Sequence, residues 1–137
     1  MPVRRTFVLV ALLLGTFVVT GLVSPALADQ RDISVGGVFI CRLTHDSAGV
    51  TSYVRATEVN RRITQVLSTP KFRQGAVIAV RQYGASAIIT VGDMLVFTVT
   101  PEDAAGTPVT PMQLAKQWAG LLAQGLSRAL PDSTFHF

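Results

Sequence analysis

Cysteine and histidine are scarce in this chain, and their scarcity removes several classes of site together. Cys41 is the single cysteine, so no intramolecular disulfide can form and the fold must hold by packing alone. Its place at the end of the apolar run Val38–Cys41 reads as a small buried hydrophobe rather than a reactive thiol. The two histidines, His45 and His136, lie far apart and with Cys41 match no zinc spacing. Asp93, Glu102 and Asp103 lack the alternating oxygen ligands of a calcium loop. Gly36-Gly37 follows an apolar segment without the further glycines of a dinucleotide loop, so it reads as a turn. Among catalytic residue types, only Thr44-His45-Asp46-Ser47 gathers those of a triad. Adjacent residues in one loop do not readily adopt a nucleophile–base–orienter geometry, and loop or helix-capping chemistry is the plainer reading. No catalytic, cofactor-binding or metal-binding residues are therefore expected.

What the chain does have begins at its N-terminus. Arg4 and Arg5 precede an uncharged apolar run from Phe7 to Val23, and Ser24-Pro25-Ala26-Leu27-Ala28 comes next. A positive start, an apolar middle and a small-residue Ala-x-Ala site make a secretory signal peptide over residues 1–28, cleaved after Ala28. The alternative is an uncleaved anchor, since an apolar run of roughly 17 residues lies at the lower limit for crossing a bilayer. Localisation is expected to be exported, periplasmic or extracellular in a bacterium. Removal of the signal leaves 137 − 28 = 109 residues, which is one domain by length. Residues 29–131 are assigned to it and residues 132–137 to a C-terminal tail.

The signal also accounts for much of the apparent basicity. Of 12 Lys and Arg, two lie in it, leaving 10 against 8 Asp and Glu, a net charge of +2. The remaining charge is uneven. Arg55, Arg61, Arg62, Lys71, Arg73 and Arg81 face only Glu58 within residues 55–81. This candidate basic patch suggests contact with anionic lipid headgroups, cell-wall polymers or nucleic acid, a peripheral membrane contact first among them, set against an ordinary solvated helix face in which Glu58 and Arg62 pair at i, i+4. No nucleic-acid motif accompanies it, and no nucleic-acid partner is expected.

The apolar pattern gives an α+β fold. Residues 32–44 read as two strands around Gly36-Gly37, a pair suited to the positive φ angles of a two-residue hairpin. Residues 45–51 read as a polar loop. From Ser52 to Ser68 the period changes, and Val59, Ile63, Val66 and Leu67 form a helical stripe ended by Thr69-Pro70. Ala76–Tyr83 reads as a strand, Ser86–Val91 and Met94–Thr100 as a hairpin around Gly92-Asp93, and residues 101–109 as a loop. Thr110, Pro111 and Gln113 mark the start of a last helix running to Leu130. Residues 33–44 align without gaps on residues 89–100, and the helical stripes match after a loop one residue shorter. The chain is read as a duplicated hairpin-plus-helix unit, with about five mostly antiparallel strands and two helices packed on one face.

Strands alternate faces with period two. On that basis Leu95, Phe97 and Val99 oppose Met94 and Val96, and Phe39, Cys41 and Leu43 oppose Val38 and Ile40. Both faces are apolar, whereas two helices cover one. An uncovered apolar face points to binding, and Val38, Ile40, Met94 and Val96 are the expected partner face unless loops or the tail fold across it. The expected partner is a second copy or an envelope protein.

One stretch carries a likeness to a known family. Val91-Gly-Asp-Met-Leu-Val-Phe-Thr-Val-Thr-Pro-Glu-Asp-Ala104, then Thr110-Pro111, Leu114-Ala115 and Trp118-Ala119, resembles the small exported domain ahead of the membrane spans in some bacterial small-conductance mechanosensitive channel proteins. The resemblance implies an accessory domain and carries no functional residues. Because the sequence stops at Phe137, a freestanding version without a pore is expected. The combined expectation is an exported, non-enzymatic binding domain. The alternatives are a small exported hydrolase using the His45 loop, and membrane-surface association through the basic first helix.

Overall fold

A computed structural model describes residues 29–137; the expected signal peptide, residues 1–28, lies outside them. In chain order the described elements are β1 (Asp32–Val35), β2 (Val38–Arg42), α1 (Ser52–Ser68), a 3-10 turn (Pro70–Phe72), β3 (Gly75–Tyr83), β4 (Ser86–Val91), β5 (Met94–Val99), α2 (Pro101–Ala104), α3 (Pro111–Ala129) and β6 (Thr134–His136). The fold is α+β, with two sheets. Strands β1 and β2 form a separate two-stranded sheet, while β5-β4-β3-β6 form a sheet of four.

Local chemistry fixes most element boundaries. Gly36 and Gly37 both adopt positive φ, 57° and 76°, which allows the two-residue β1–β2 turn that a residue with a Cβ would resist. Thr51 caps α1 by accepting from the Val54 amide, satisfying one of the unpaired N–H groups at a helix start. A full capping box formed by Thr110 and Gln113 opens α3, with Pro111 in its first turn. The same device, Thr100 with Asp103 and Pro101, opens the single turn of α2, inside the stretch expected to be loop.

The two hairpins repeat down to their irregularities. In the first, Ile33 faces Cys41 and Ser34 faces Phe39, so Ile40 is an extra, bulged residue. In the second, Ile89 faces Phe97 and Thr90 faces Leu95, so Val96 is bulged. Each bulge falls at the same place in its unit. The helices then correspond from cap to cap: Thr51, Ala56, Val59 and Ile63 of α1 match Thr110, Ala115, Trp118 and Leu122 of α3 in capping and burial. This places the longer connection in the second unit, where α2 is inserted, rather than the shorter one expected from the stripes.

The bulges also correct the expected partner face. An extra residue breaks the alternation of a strand, so residues on either side of it no longer keep to period two. Val38, Ile40 and Val96 are buried and Met94 is half-buried, so these four residues belong to the core. Among their strand neighbours, Phe39 instead points outward, 55% exposed.

Helix α3 organises the interior. It packs against all six strands, and α1 lies against β1 and β5, one strand from each sheet. Phe97 and Trp118 meet at its centre, ring centroids 5.6 Å apart and tilted. The β1–β2 hairpin crosses α3 so closely that Val35 and Gly36 touch Gly125 backbone to backbone. Residues 132–137, expected as a free tail, supply β6, which pairs in parallel with β3 and buries Phe135.

Candidate functional site

The loop that suggested a triad is built into the scaffold. The Asp46 carboxylate accepts the Ser52 amide at the start of α1 at 2.7 Å. Ser47 Oγ donates to Glu102 Oε2 at 3.3 Å, and His45 Nδ1 lies 3.1 Å from Thr44 Oγ1. The three side chains therefore face three different partners. Ser47 and Val50 pair across a tight turn in which Ala48 and Gly49 take φ of 51° and 78°.

Beneath this loop lies a buried ion pair that joins four segments. Arg55 and Asp103 meet through two bonds, Nη1–Oδ1 at 2.9 Å and Nη2–Oδ2 at 2.6 Å, with side-chain exposures of 11% and 2%. Arg55 also donates to the His45 carbonyl at 2.6 Å and to the Thr98 carbonyl of strand β5 at 3.2 Å. Asp103 Oδ2 accepts the Thr100 amide and hydroxyl. Hydrogen bonding to Asp103 raises the Arg55 guanidinium above its ordinary pKa against the cost of burial. Sequence separation hid this pair: the partners are 48 residues apart.

Arg55 therefore leaves the expected basic patch, and the rest of that patch divides. Arg61 and Arg62 both bind Glu58, at 2.7 Å and 2.8 Å. Arg61 first and Arg62 second pull the Glu58 carboxyl down to about 2. Lys71 pairs with Asp93 at 2.7 Å and stands over the Phe72 ring. Arg81 is exposed on β3, whereas Arg73 borders a shallow groove with Leu67 and Asp132. Burial lifts the Cys41 thiol well above its ordinary range, so its reactive thiolate form is suppressed.

Among the described residues two open surfaces stand out. One is the outer face of the four-stranded sheet. Val77, Ala79, Ile88 and Leu95 share it, by the pairing of Ala79 with Thr90, Thr90 with Leu95, and Arg81 with Ile88. Val77 is 64% exposed, and α3, the helix that packs along β3 and β4, lies on the opposite face. The other is a cleft of about 390 Å³ between α1, the 47–50 turn and the β3–β4 turn, with Leu43, Val59 and Tyr83 among its apolar walls and Arg62 and Thr98 among its polar ones. Period-two alternation along β3 separates Val77 and Ala79 from Ile78 and Val80; the second surface had no sequence signal.

These features define a small α+β domain made of two hairpin-plus-helix units around a shared core. Residues 32–129 match the family model described as a domain of unknown function (DUF8459), and the chain belongs to that family. No curated protein and no solved structure matches it. The match covers both repeats and ends at the last residue of α3. Among the described residues no helix is long and apolar enough to cross a membrane.

Proposed function

We propose that the chain is an exported, non-enzymatic binding domain that docks a protein, a second copy or another envelope protein, on the outer face of β3, β4 and β5. The observation that carries this reading is the cluster of Val77, Ala79, Ile88 and Leu95, Val77 exposed and the other three half-buried, with Arg81 and Thr90 among the polar residues beside them on that face. An antiparallel sheet with a solvated face ordinarily places polar residues there. Export rests on the residue order at the N-terminus, from Arg4-Arg5 to Ala26-x-Ala28. The hydrolase reading receives less support, because Asp46 and Ser47 are committed to the α1 start and to Glu102. Membrane docking through the basic patch receives less support as well, because four of its six cations are held in ion pairs. In this reading the stretch resembling the channel-associated exported domain is scaffold: Thr100 and Asp103 cap α2, while Ala104, Ala115, Trp118 and Ala119 are buried.

A photo-crosslinking residue at position 77, in the protein produced in its own cells, tests the proposal. It should yield a discrete adduct with a second copy or with one envelope protein. The same probe at Gln124, exposed on α3, should yield none. No adduct at position 77 above that control would overturn the assignment of the face.

A further inference from the structure

The open cleft beside α1 combines apolar walls with a cation whose outer donors are free among the described residues. We propose that it is a binding site for a small organic anion, a carboxylate or phosphate carried on an apolar body. This goes beyond the docking face, uses different residues and stands independently of it.

Size is the first argument. At about 390 Å³ the cleft lies within the range of small-molecule sites, roughly 300–1,000 Å³, which are apolar with a few placed polar groups. Leu43, Val50, Val59 and Tyr83 supply apolar wall, and Ser86 and Thr98 supply polar groups at one side. Charge is the second. Arg55 is cancelled by Asp103, Glu58 is shared between Arg61 and Arg62, and Glu102 stands at the opposite side on Ser47, so Arg62 is the lining cation not matched by a carboxylate of its own. Geometry is the third. Arg62 Nε donates to Glu58 Oε1 at 2.8 Å, which fixes the plane of the guanidinium. Its two Nη groups have no hydrogen-bond partner among the described residues, and a planar fork of this kind suits carboxylate and phosphate oxygens. Because Arg61 and Arg62 keep Glu58 ionised down to about 2, that orientation persists at any neutral pH.

The position of the cleft adds a fourth. Its walls come from both units, Leu43 to Arg62 from the first and Ser86 to Thr100 from the second, so the seam of the duplication creates a concavity that neither unit has alone. Val50 and Tyr83 stand at the cleft, 40% and 68% exposed. Ala48, two residues before Val50, holds a left-handed φ of 51°, a conformation disfavoured for a residue with a Cβ.

Amide chemical-shift titrations of the 15N-labelled protein with phenyl phosphate and with hexanoate test the site. Saturable shifts are expected at Ser47–Val50, Glu58–Arg62 and Tyr83–Ser86. Arg62→Gln should weaken binding of either anion at least tenfold, leave binding of neutral hexanol unchanged, and keep a folded spectrum. Tyr83→Ser, at an exposed position, should weaken both anions and hexanol alike. Co-sedimentation with anionic phospholipid vesicles that Arg62→Gln abolishes would assign the anion to a lipid headgroup; anion binding without co-sedimentation would assign it to a free molecule. Shifts that do not saturate, or affinities unchanged in Arg62→Gln, would overturn the proposal.

Discussion

Gly125 offers the sharpest test of how the two sheets are joined, because two physical effects there predict opposite signs. It lies inside α3, where Ala is ordinarily more stable than Gly by about 1 kcal/mol. A Cβ at this position would stand 2.5 Å from Val35 Cγ1 and 2.6 Å from the Val35 carbonyl oxygen. The valine side chain has little χ1 freedom with which to move aside, and the carbonyl belongs to the β1–β2 hairpin. Relief requires the hairpin to lift from the helix, and overpacking of this kind costs about 3 kcal/mol, the upper part of its usual range. Gly125→Ala should therefore destabilise the protein by about 2 kcal/mol net and lower its melting temperature by roughly 10 °C. Gly120 on the same helix is the control. A Cβ there would meet only Phe137 Cδ1, at 4.0 Å, so Gly120→Ala should raise stability by about 0.5–1 kcal/mol. Thermal and urea unfolding monitored by circular dichroism would measure both. If Gly125→Ala proved as stabilising as Gly120→Ala, the close seat of the hairpin on α3 would be refuted.

Three further outcomes are expected. Asp103→Asn keeps a capping side chain but leaves Arg55 without its counter-charge, and should cost about 3 kcal/mol in urea unfolding; a loss below about 1 kcal/mol would show that solvent screens the pair. Phe135→Ala should cost about 3 kcal/mol, because this side chain of β6 is buried, whereas Phe137→Ala, at a 57% exposed position, should change stability by no more than about 0.5 kcal/mol. Glu58 has a depressed folded-state pKa, so its stabilisation is complete above the unfolded value of about 4.3 and is lost as pH falls through about 2. Glu58→Gln should therefore lower stability by about 0.5 kcal/mol at neutral pH, after solvent screening, and the difference from wild type should vanish toward pH 2 in a melting series. A difference that instead grew on acidification would contradict the assigned sign.

Residues close in sequence made much of the fold readable. The span of α1 and the start of α3 were legible from an apolar stripe and from Thr110, Pro111 and Gln113, because capping groups act within one turn of the backbone they satisfy. The Thr100-Pro101-Glu102-Asp103 sequence carried the same capping grammar, yet four residues are too few to show a stripe, so α2 read as loop. Strand faces were the main casualty. Ile40 and Val96 are bulged, and one extra residue reverses the parity of the strand beyond it. That reversal turned a buried set into an expected surface.

The α+β class, the two-unit repeat and the glycine turn at Gly36-Gly37 were written in local sequence patterns, since each depends on interactions spanning a few residues. Tertiary structure alone decided that Arg55 belongs to Asp103, that Gly125 seats a hairpin, that the last residues form a strand and that a cleft opens at the seam. Each of these depends on which distant surfaces meet, and therefore on the closure of a core to which every segment contributes.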